Sequence, residues 1–318
     1  MEFELKQNLY INYSVRKTFF LSLPVVKDII YINRKTGQKE TEIVKGPKTM
    51  NYVYNKRLGQ IGLRLLFKRK IFSMYGGWVM NKSKSIQKID EFLKVNQLDM
   101  SQFVVPEGGY KNFNDFFYRK LQPNKRPIGK GLVSPADGKV VAFKTIGCCM
   151  DFYVKDCTFN LITFLKDKEL AKKYEGGSML VIRLAPADYH RFHFPAEGIP
   201  NETKKIKGYY YSVSPIALKQ NMRIFLENKR EYSTLKTKEF GDILLCDVGA
   251  TLTGSIIQTY IPNQRVKKGE EKGHFAFGGS TVVVLFEKDK VIIDEDLLEN
   301  TQKGLETTVE MGETIGHN

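Results

Sequence analysis

The chain has 318 residues, 42% apolar and 27% charged, which excludes wholesale disorder, a collagen repeat and a disulfide-framed miniprotein. With 50 Lys and Arg against 35 Asp and Glu, the net charge is +15, and an anionic partner is expected: nucleic acid, an acidic membrane surface or a charged substrate. The charge is uneven: residues 1–84 hold 17 basic and 5 acidic side chains (+12), and residues 280–318 hold 3 and 9 (−6). The four cysteines, Cys148, Cys149, Cys157 and Cys246, form no CxxC pair, so a reducing compartment is expected. A metal site is not expected, because only His190, His193, His274 and His317 could join them.

In chain order, Thr18–Ile32 is the nearest approach to a membrane span. It is short and interrupted by Pro24, Lys27 and Asp28, so no transmembrane helix is expected, and Glu2 and Glu4 argue against a signal peptide. Residues 29–44 read as a hairpin turning at Lys35-Thr36-Gly37. Residues 58–80 predict an amphipathic helix. Leu58, Ile61, Leu65, Leu66, Phe67, Ile71 and Phe72 are its apolar side, Arg64, Lys68, Arg69 and Lys70 its charge, and Trp78 lies at its end. Such a helix suits an anionic lipid interface or packs on its own domain with a solvated basic face. Residues 83–105 predict one more helix, capped by Ser83 or Ser85, with Ile86, Ile89, Phe92 and Leu93 inward. From about residue 131 the texture changes to short β-rich runs, GKVVAF, SMLVIRL, DILLCDV, STVVVLF and KVII, with a helix inserted at Ile162–Tyr174. The fold class expected is α+β: a mostly antiparallel β core with an N-terminal basic amphipathic helical region.

Three stretches carry candidate chemistry. Ser134-Pro135-Ala136-Asp137-Gly138 is a turn before a strand, in which Asp137 either satisfies local backbone donors or acts chemically. Asp188-Tyr189-His190-Arg191-Phe192-His193 places two histidines three apart, which on a helix turn would share one face as a structural pair, a metal pair or a proton-transfer pair. Phe277-Gly278-Gly279-Ser280-Thr281 opens an apolar strand, reading as a bulge or tight turn, or as a serine presented by unrestricted backbone.

Together these stretches resemble the phosphatidylserine decarboxylase family, from about Ile30 to about Leu305. The pattern runs through FNDFFYRKL (113–121), Arg126-Pro127, SPADG (134–138), YEGGSMLVIRLAPADYHRFHFPAEG (174–198), YYYSVSPIAL (209–218), VGATLTGSI (248–256) and KKGEEKGHFAFGGST (267–281). Gly278 stands where the family usually has Leu, and Lys229 where it usually has Glu.

The resemblance implies a self-processing proenzyme. Serinolysis at the cleavage site Gly279-Ser280 would leave a β chain 1–279 and an α chain 280–318 of 39 residues, and would convert Ser280 to a pyruvoyl cofactor. That carbonyl would form a Schiff base with phosphatidylserine and release CO2 to leave phosphatidylethanolamine. By resemblance His193 is the base for Ser280, Asp137 holds its tautomer, and His190 is the general acid of decarboxylation. The implied partners are phosphatidylserine in an anionic membrane and the two chains of one precursor, with room for a homodimer and no nucleic acid. The implied location is peripheral, on the cytoplasmic face of the cell membrane. The expected organisation is an extension of unknown role at 1–29, a hairpin plus membrane-facing helical region at 30–105 and a decarboxylase core at 106–318. Alternatives are a decarboxylase of a related phosphoserine lipid such as archaetidylserine, a soluble pyruvoyl amino-acid decarboxylase, and a non-enzymatic basic binding protein.

Overall fold

The computed structural model describes residues 28–43, 70–147, 149–152, 157–212, 224–250, 255–277 and 280–318. The apolar runs of the second half become the middle of one ten-stranded sheet. The strands used below are β1 (Asp28–Ile32), β2 (Lys39–Ile43), β3 (Gly138–Phe143), β4 (Ser178–Leu184), β5 (Arg191–His193), β6 (Arg230–Lys236), β7 (Asp242–Gly249), β8 (Ile256–Gln258), β9 (Glu271–Phe275), β10 (Ser280–Phe286) and β11 (Glu306–Val309). The sheet runs β6-β7-β10-β4-β3-β11-β1-β2, with Ile199–Pro200 and Lys204–Ile206 both on the outer side of β6. Its pairings are antiparallel except β1 with β11, which is parallel.

Side chains alternate across a strand, so a strand apolar at every position is covered on both faces. All seven residues of β4 and of β10 are buried. Met179, Val181, Leu244, Cys246, Val283 and Leu285 face a core closed by helices α4 (Leu161–Leu165) and α5 (Lys168–Tyr174). Leu180, Ile182, Leu184, Leu245, Val282 and Val284 face a second core. That core is closed by Phe192, Ile256 and Phe275 of a small β5-β9-β8 sheet and by Leu297 of α6 (Glu295–Gln302). The expected helix at Ile162–Tyr174 is two helices, because Lys166 turns left-handed (φ 53°) and Asp167 caps the second by accepting from Leu170 N at 3.1 Å.

The hairpin forms as expected, with Gly37 at φ 68° and Gly37 N donating to Asn33 O at 2.8 Å. It joins the main sheet through β11 and not the helical layer. Arg34 explains this docking: its guanidinium reaches Asp294 and Asp296 at 2.7 Å each and donates to Thr314 O at 2.6 Å. The basic N-terminal part thus grips the acidic C-terminal segment.

The helical layer comprises α1 (Lys70–Met80), α2 (Lys88–Asn96) and α3 (Phe113–Phe117). Residues 83–105 are not one helix. Ser83–Gln87 is 3₁₀, α2 stops at left-handed Gln97 (φ 50°), Met100–Gln102 is 3₁₀ again, and Phe103–Val104 pairs with Lys120–Leu121. Ser85 caps no helix: its hydroxyl bonds the carbonyls of Met80 and Lys82 and accepts from Phe113 N at 2.9 Å. Ile86 is exposed, while Ile89 is buried against Phe113, Phe116 and Phe117. Of the basic segment 58–80 only α1 is described; Arg64, Lys68 and Arg69 lie outside the described residues. At the end of α1, Tyr75 and Trp78 are 62% and 55% exposed, and Lys82 Nζ sits 3.3 Å over the Trp78 ring.

Candidate active site

Ser280 is the first residue of β10, in register with Gly249 of β7 and Leu184 of β4. It is fully buried, and its Oγ has no hydrogen-bond partner among the described residues. A buried hydroxyl normally finds one, so an orphan on a central strand is a candidate reactive group. Gly278 and Gly279 lie outside the described residues, but Phe277 before them is anchored. Its N–H donates to Asn114 Oδ1 at 2.8 Å, and its ring meets Phe113 and Phe117 edge-on at 5.1 and 5.2 Å.

The two histidines do not share a helix face. His190 ends a turn and His193 ends β5, and three residues along extended chain separate side chains that a helix would bring together. His190 is fully buried, with its ring 3.9 Å from Phe117. Its Nδ1 lies 2.8 Å from Asp188 O. A carbonyl only accepts, so Nδ1 carries the proton and Nε2 presents a lone pair, which no described group occupies. Burial, aided by the nearby Arg119 charge, holds His190 down at about 3, so it is neutral at physiological pH. By the same logic His193 Nδ1 donates to Gly269 O at 3.0 Å and Nε2 accepts from Tyr189 Oη at 3.2 Å. Burial lowers this histidine to about 4.

Asp137 is buried and does not hold the His193 tautomer through a hydrogen bond; Gly269 does. Asp137 Oδ2 takes Arg126 Nη2 at 2.6 Å, Nε lies 3.2 Å from each oxygen, and Oδ1 accepts from Met311 N at 2.7 Å. Burial raises the Asp137 carboxyl above the usual carboxylate range, and Arg126 opposes that rise. Gly138 next to it is required by close packing, since a Cβ there would stand 2.6 Å from Arg183 O on β4. A cavity of about 320 Å³ between the hairpin and Asp137 is lined by Tyr31, Lys35, Glu40, Arg126 and Tyr189 among others.

Asp137, Arg126 and Tyr189, which bonds His193, thus line one cavity, while His190 packs on Phe117, whose ring also meets Phe277. Sequence reasoning gave no role to Arg126, Tyr189, Arg119, Asn114 or Phe277. All five lie in quoted runs, 113–121, 126–127, 174–198 and 267–281, but only contact distances show what they touch. Arg119 is buried between the rings of Phe103 and Phe116, and its Nη2 donates to Ala187 O at 2.8 Å and to Asp188 O at 3.2 Å. Its guanidinium thus shares the Asp188 carbonyl with His190, and burial lowers it to about 10.

The family model for phosphatidylserine decarboxylase matches residues 113–317, which span Asn114, Arg126, Asp137, His190, His193 and Ser280. The chain belongs to the phosphatidylserine decarboxylase family. A phosphatidylserine decarboxylase proenzyme of Fusobacterium nucleatum is 52% identical over 292 residues, covering 91% of this chain and 97% of that protein. The proenzymes of Clostridium novyi and Clostridium perfringens are 48% and 46% identical, covering 89% and 90% of this chain and 97% and 98% of theirs.

Phosphatidylserine decarboxylase membership implies a pyruvoyl group, and the residues at position 280 fit one. A serine is present to form it, its Oγ has no partner among the described residues, and the strand holds it away from water. The family departure at Lys229 also has an account. Lys229 Nζ pairs with Glu231 at 3.2 Å, while its neighbours Asn228 and Arg230 are buried on backbone carbonyls, at 2.8 Å to Gly249 and 2.7 Å to Phe164. A cation at 229 therefore meets an acid two residues further on.

Proposed function

We propose that this chain is the precursor of a phosphatidylserine decarboxylase that cuts itself between Gly279 and Ser280. The observation that carries the reading is the buried Ser280 Oγ, without a hydrogen-bond partner among the described residues, at the start of a central strand and directly after a Gly-Gly pair. Ser280 Oγ attacks the Gly279 carbonyl carbon as its proton passes to a base, and the peptide C–N bond is exchanged for an ester C–O bond. Elimination then breaks the Ser280 Cβ–Oγ bond and frees the Gly279 carboxylate. Loss of nitrogen as ammonia, with water entering, leaves the pyruvoyl group at position 280. His193 is the proposed base, neutral at physiological pH, and its Nε2 takes the proton once the Tyr189 hydroxyl moves off it. Asp137, paired with Arg126, is the proposed supporting group.

Once formed, the pyruvoyl group supplies the carbonyl that holds the substrate amine and receives the electron pair released with CO2. His190 Nε2, neutral and bare, takes a proton from the substrate ammonium and returns it to the carbon that has lost CO2. His190 thus works as an acid only after loading, because in the resting site its proton is on Nδ1. Phe117 and Phe277 exclude water around that transfer, and the Arg119 charge keeps His190 unprotonated until substrate arrives.

The relatives' names specify phosphatidylserine and not another phosphoserine lipid, and this chain is proposed to act on the same headgroup. The proposed setting is the cytoplasmic face of the cell membrane, reached through the basic segment 58–80 and the exposed Tyr75 and Trp78. Among the described residues no helix is long and apolar enough to cross a membrane.

Ser280→Ala tests the reading: the precursor should run as a single full-length band and release no CO2. Asp137→Asn and His193→Ala should also block maturation. Two chains from Ser280→Ala, or retained decarboxylation, would overturn it.

A further inference from the structure

The peptide bond proposed to break lies between two anchors. Downstream, Ser280 is held in β10 by its pairing with Gly249 and Leu184. Upstream, Phe277 is held from outside the β core, by the helical layer. Its ring packs against the apolar cluster of Ile89, Phe113, Phe116 and Phe117. Its backbone N–H is taken by Asn114 Oδ1 at 2.8 Å. Asn114 is only 2% exposed, and its Nδ2 donates to Asn81 Oδ1 at 2.9 Å, at the end of α1. Both ends of this buried amide are thus engaged, which sets its plane and the position of Oδ1.

Between the anchors stand only Gly278 and Gly279. Glycine restricts its own φ and ψ less than any other residue. Two glycines in a row therefore leave the direction of the Gly279 carbonyl to the groups that hold the ends. Attack by Ser280 Oγ requires that carbonyl carbon at near-contact distance and in line with the hydroxyl, a condition whose loss by about 1 Å costs on the order of a hundredfold in rate. We propose that Asn114 is a positioning residue for self-cleavage, clasping the Phe277 N–H so that the Gly279-Ser280 bond is presented to the Ser280 hydroxyl. The inference rests on the proposed maturation and assigns it a second requirement, intact packing of α1 and α3 on the scissile segment. The layer that carries the exposed Tyr75 and Trp78 is then also the layer that prepares the bond for cutting.

The test compares Asn114→Ala with Ser85→Ala, which removes the acceptor for Phe113 N in the same layer but leaves the Phe277 clasp untouched. Precursors are refolded from denaturant, and cleavage is followed on a denaturing gel beside thermal melting of the uncut fraction. Asn114→Ala should cleave at least tenfold more slowly than the parent, while Ser85→Ala should melt lower yet cleave within about twofold of it. Cleavage of Asn114→Ala within about twofold, or equal slowing in Ser85→Ala, would overturn the proposal. Should Asn114→Ala fail to refold, phenyllactate in place of Phe277 removes the N–H donor alone. Tenfold slowing then supports the clasp, and an unchanged rate refutes it. Ser280→Ala runs alongside. Two chains from that variant would refute the maturation itself, whereas an uncut Ser280→Ala beside a normally cutting Asn114→Ala would refute only the clasp.

Discussion

Replacing Arg126 with Leu should uncouple folding from maturation in a pH-dependent way. The Arg126–Asp137 pair is about nine-tenths buried on both sides, at 9% and 11% side-chain exposure, with a closest approach of 2.6 Å. So little exposure leaves solvent screening only a minor discount. Removing one member of a buried pair costs about 3–5 kcal/mol, because the other charge stays buried without its partner. Asp137 would keep only the Met311 N–H at 2.7 Å. Its carboxyl already lies above the usual carboxylate range through burial, and without Arg126 it would rise further.

The sign follows from proton counting. A carboxyl with a raised folded pKa binds its proton more tightly folded than unfolded. Stability is then fully present below the unfolded value of about 3.9 and is lost as pH rises toward the folded value. Arg126→Leu placed on Ser280→Ala, which keeps the chain uncut, should therefore unfold at lower urea than Ser280→Ala alone, with a larger gap at pH 8 than at pH 5. Self-cleavage of Arg126→Leu should move the opposite way. It should fall below the parental rate and recover as pH rises, because the raised Asp137 carboxyl must ionise to act. A parental urea midpoint together with a parental cleavage rate across that range would refute the reasoning.

Two further outcomes follow from the same geometry. His190→Gln should mature to two chains yet release no measurable CO2. On the Ser280→Ala background it should also resist acid better: a histidine held at about 3 contributes stability above its unfolded value of about 6.5, lost as pH falls, and Gln has no such proton to bind. An identical acid-unfolding curve, or normal turnover, would contradict this. Replacing Arg64, Lys68, Arg69 and Lys70 with Gln should weaken co-sedimentation with anionic vesicles by up to about 4 kcal/mol at low salt, at about 1 kcal/mol per charge, with self-cleavage unchanged. Unchanged sedimentation would place the membrane contact elsewhere.

Local pattern alone determined much of the β core. GKVVAF, SMLVIRL and STVVVLF become strands at the bounds their composition suggests, because a strand buried on both faces must be apolar at most of its positions. The hairpin was legible for a similar reason, its turn needing the positive φ that Gly37 supplies. Ser280, Asp137 and both histidines could be selected as candidates because their types and order are chemically unusual. Their partners could not be. Asp137 meets Arg126, His193 meets Gly269 and Tyr189, and Asn114 meets Phe277 across 163 residues. The parallel pairing of β1 with β11 joins residues some 275 positions apart and rests on charges of Arg34 that pattern reading had placed in a separate region. Period and propensity describe what a residue does to its own backbone within a few positions. Which tautomer a buried histidine adopts, and which carboxylate stays charged, depends on groups brought close only when the two cores close. That part of the site was decided by the tertiary structure.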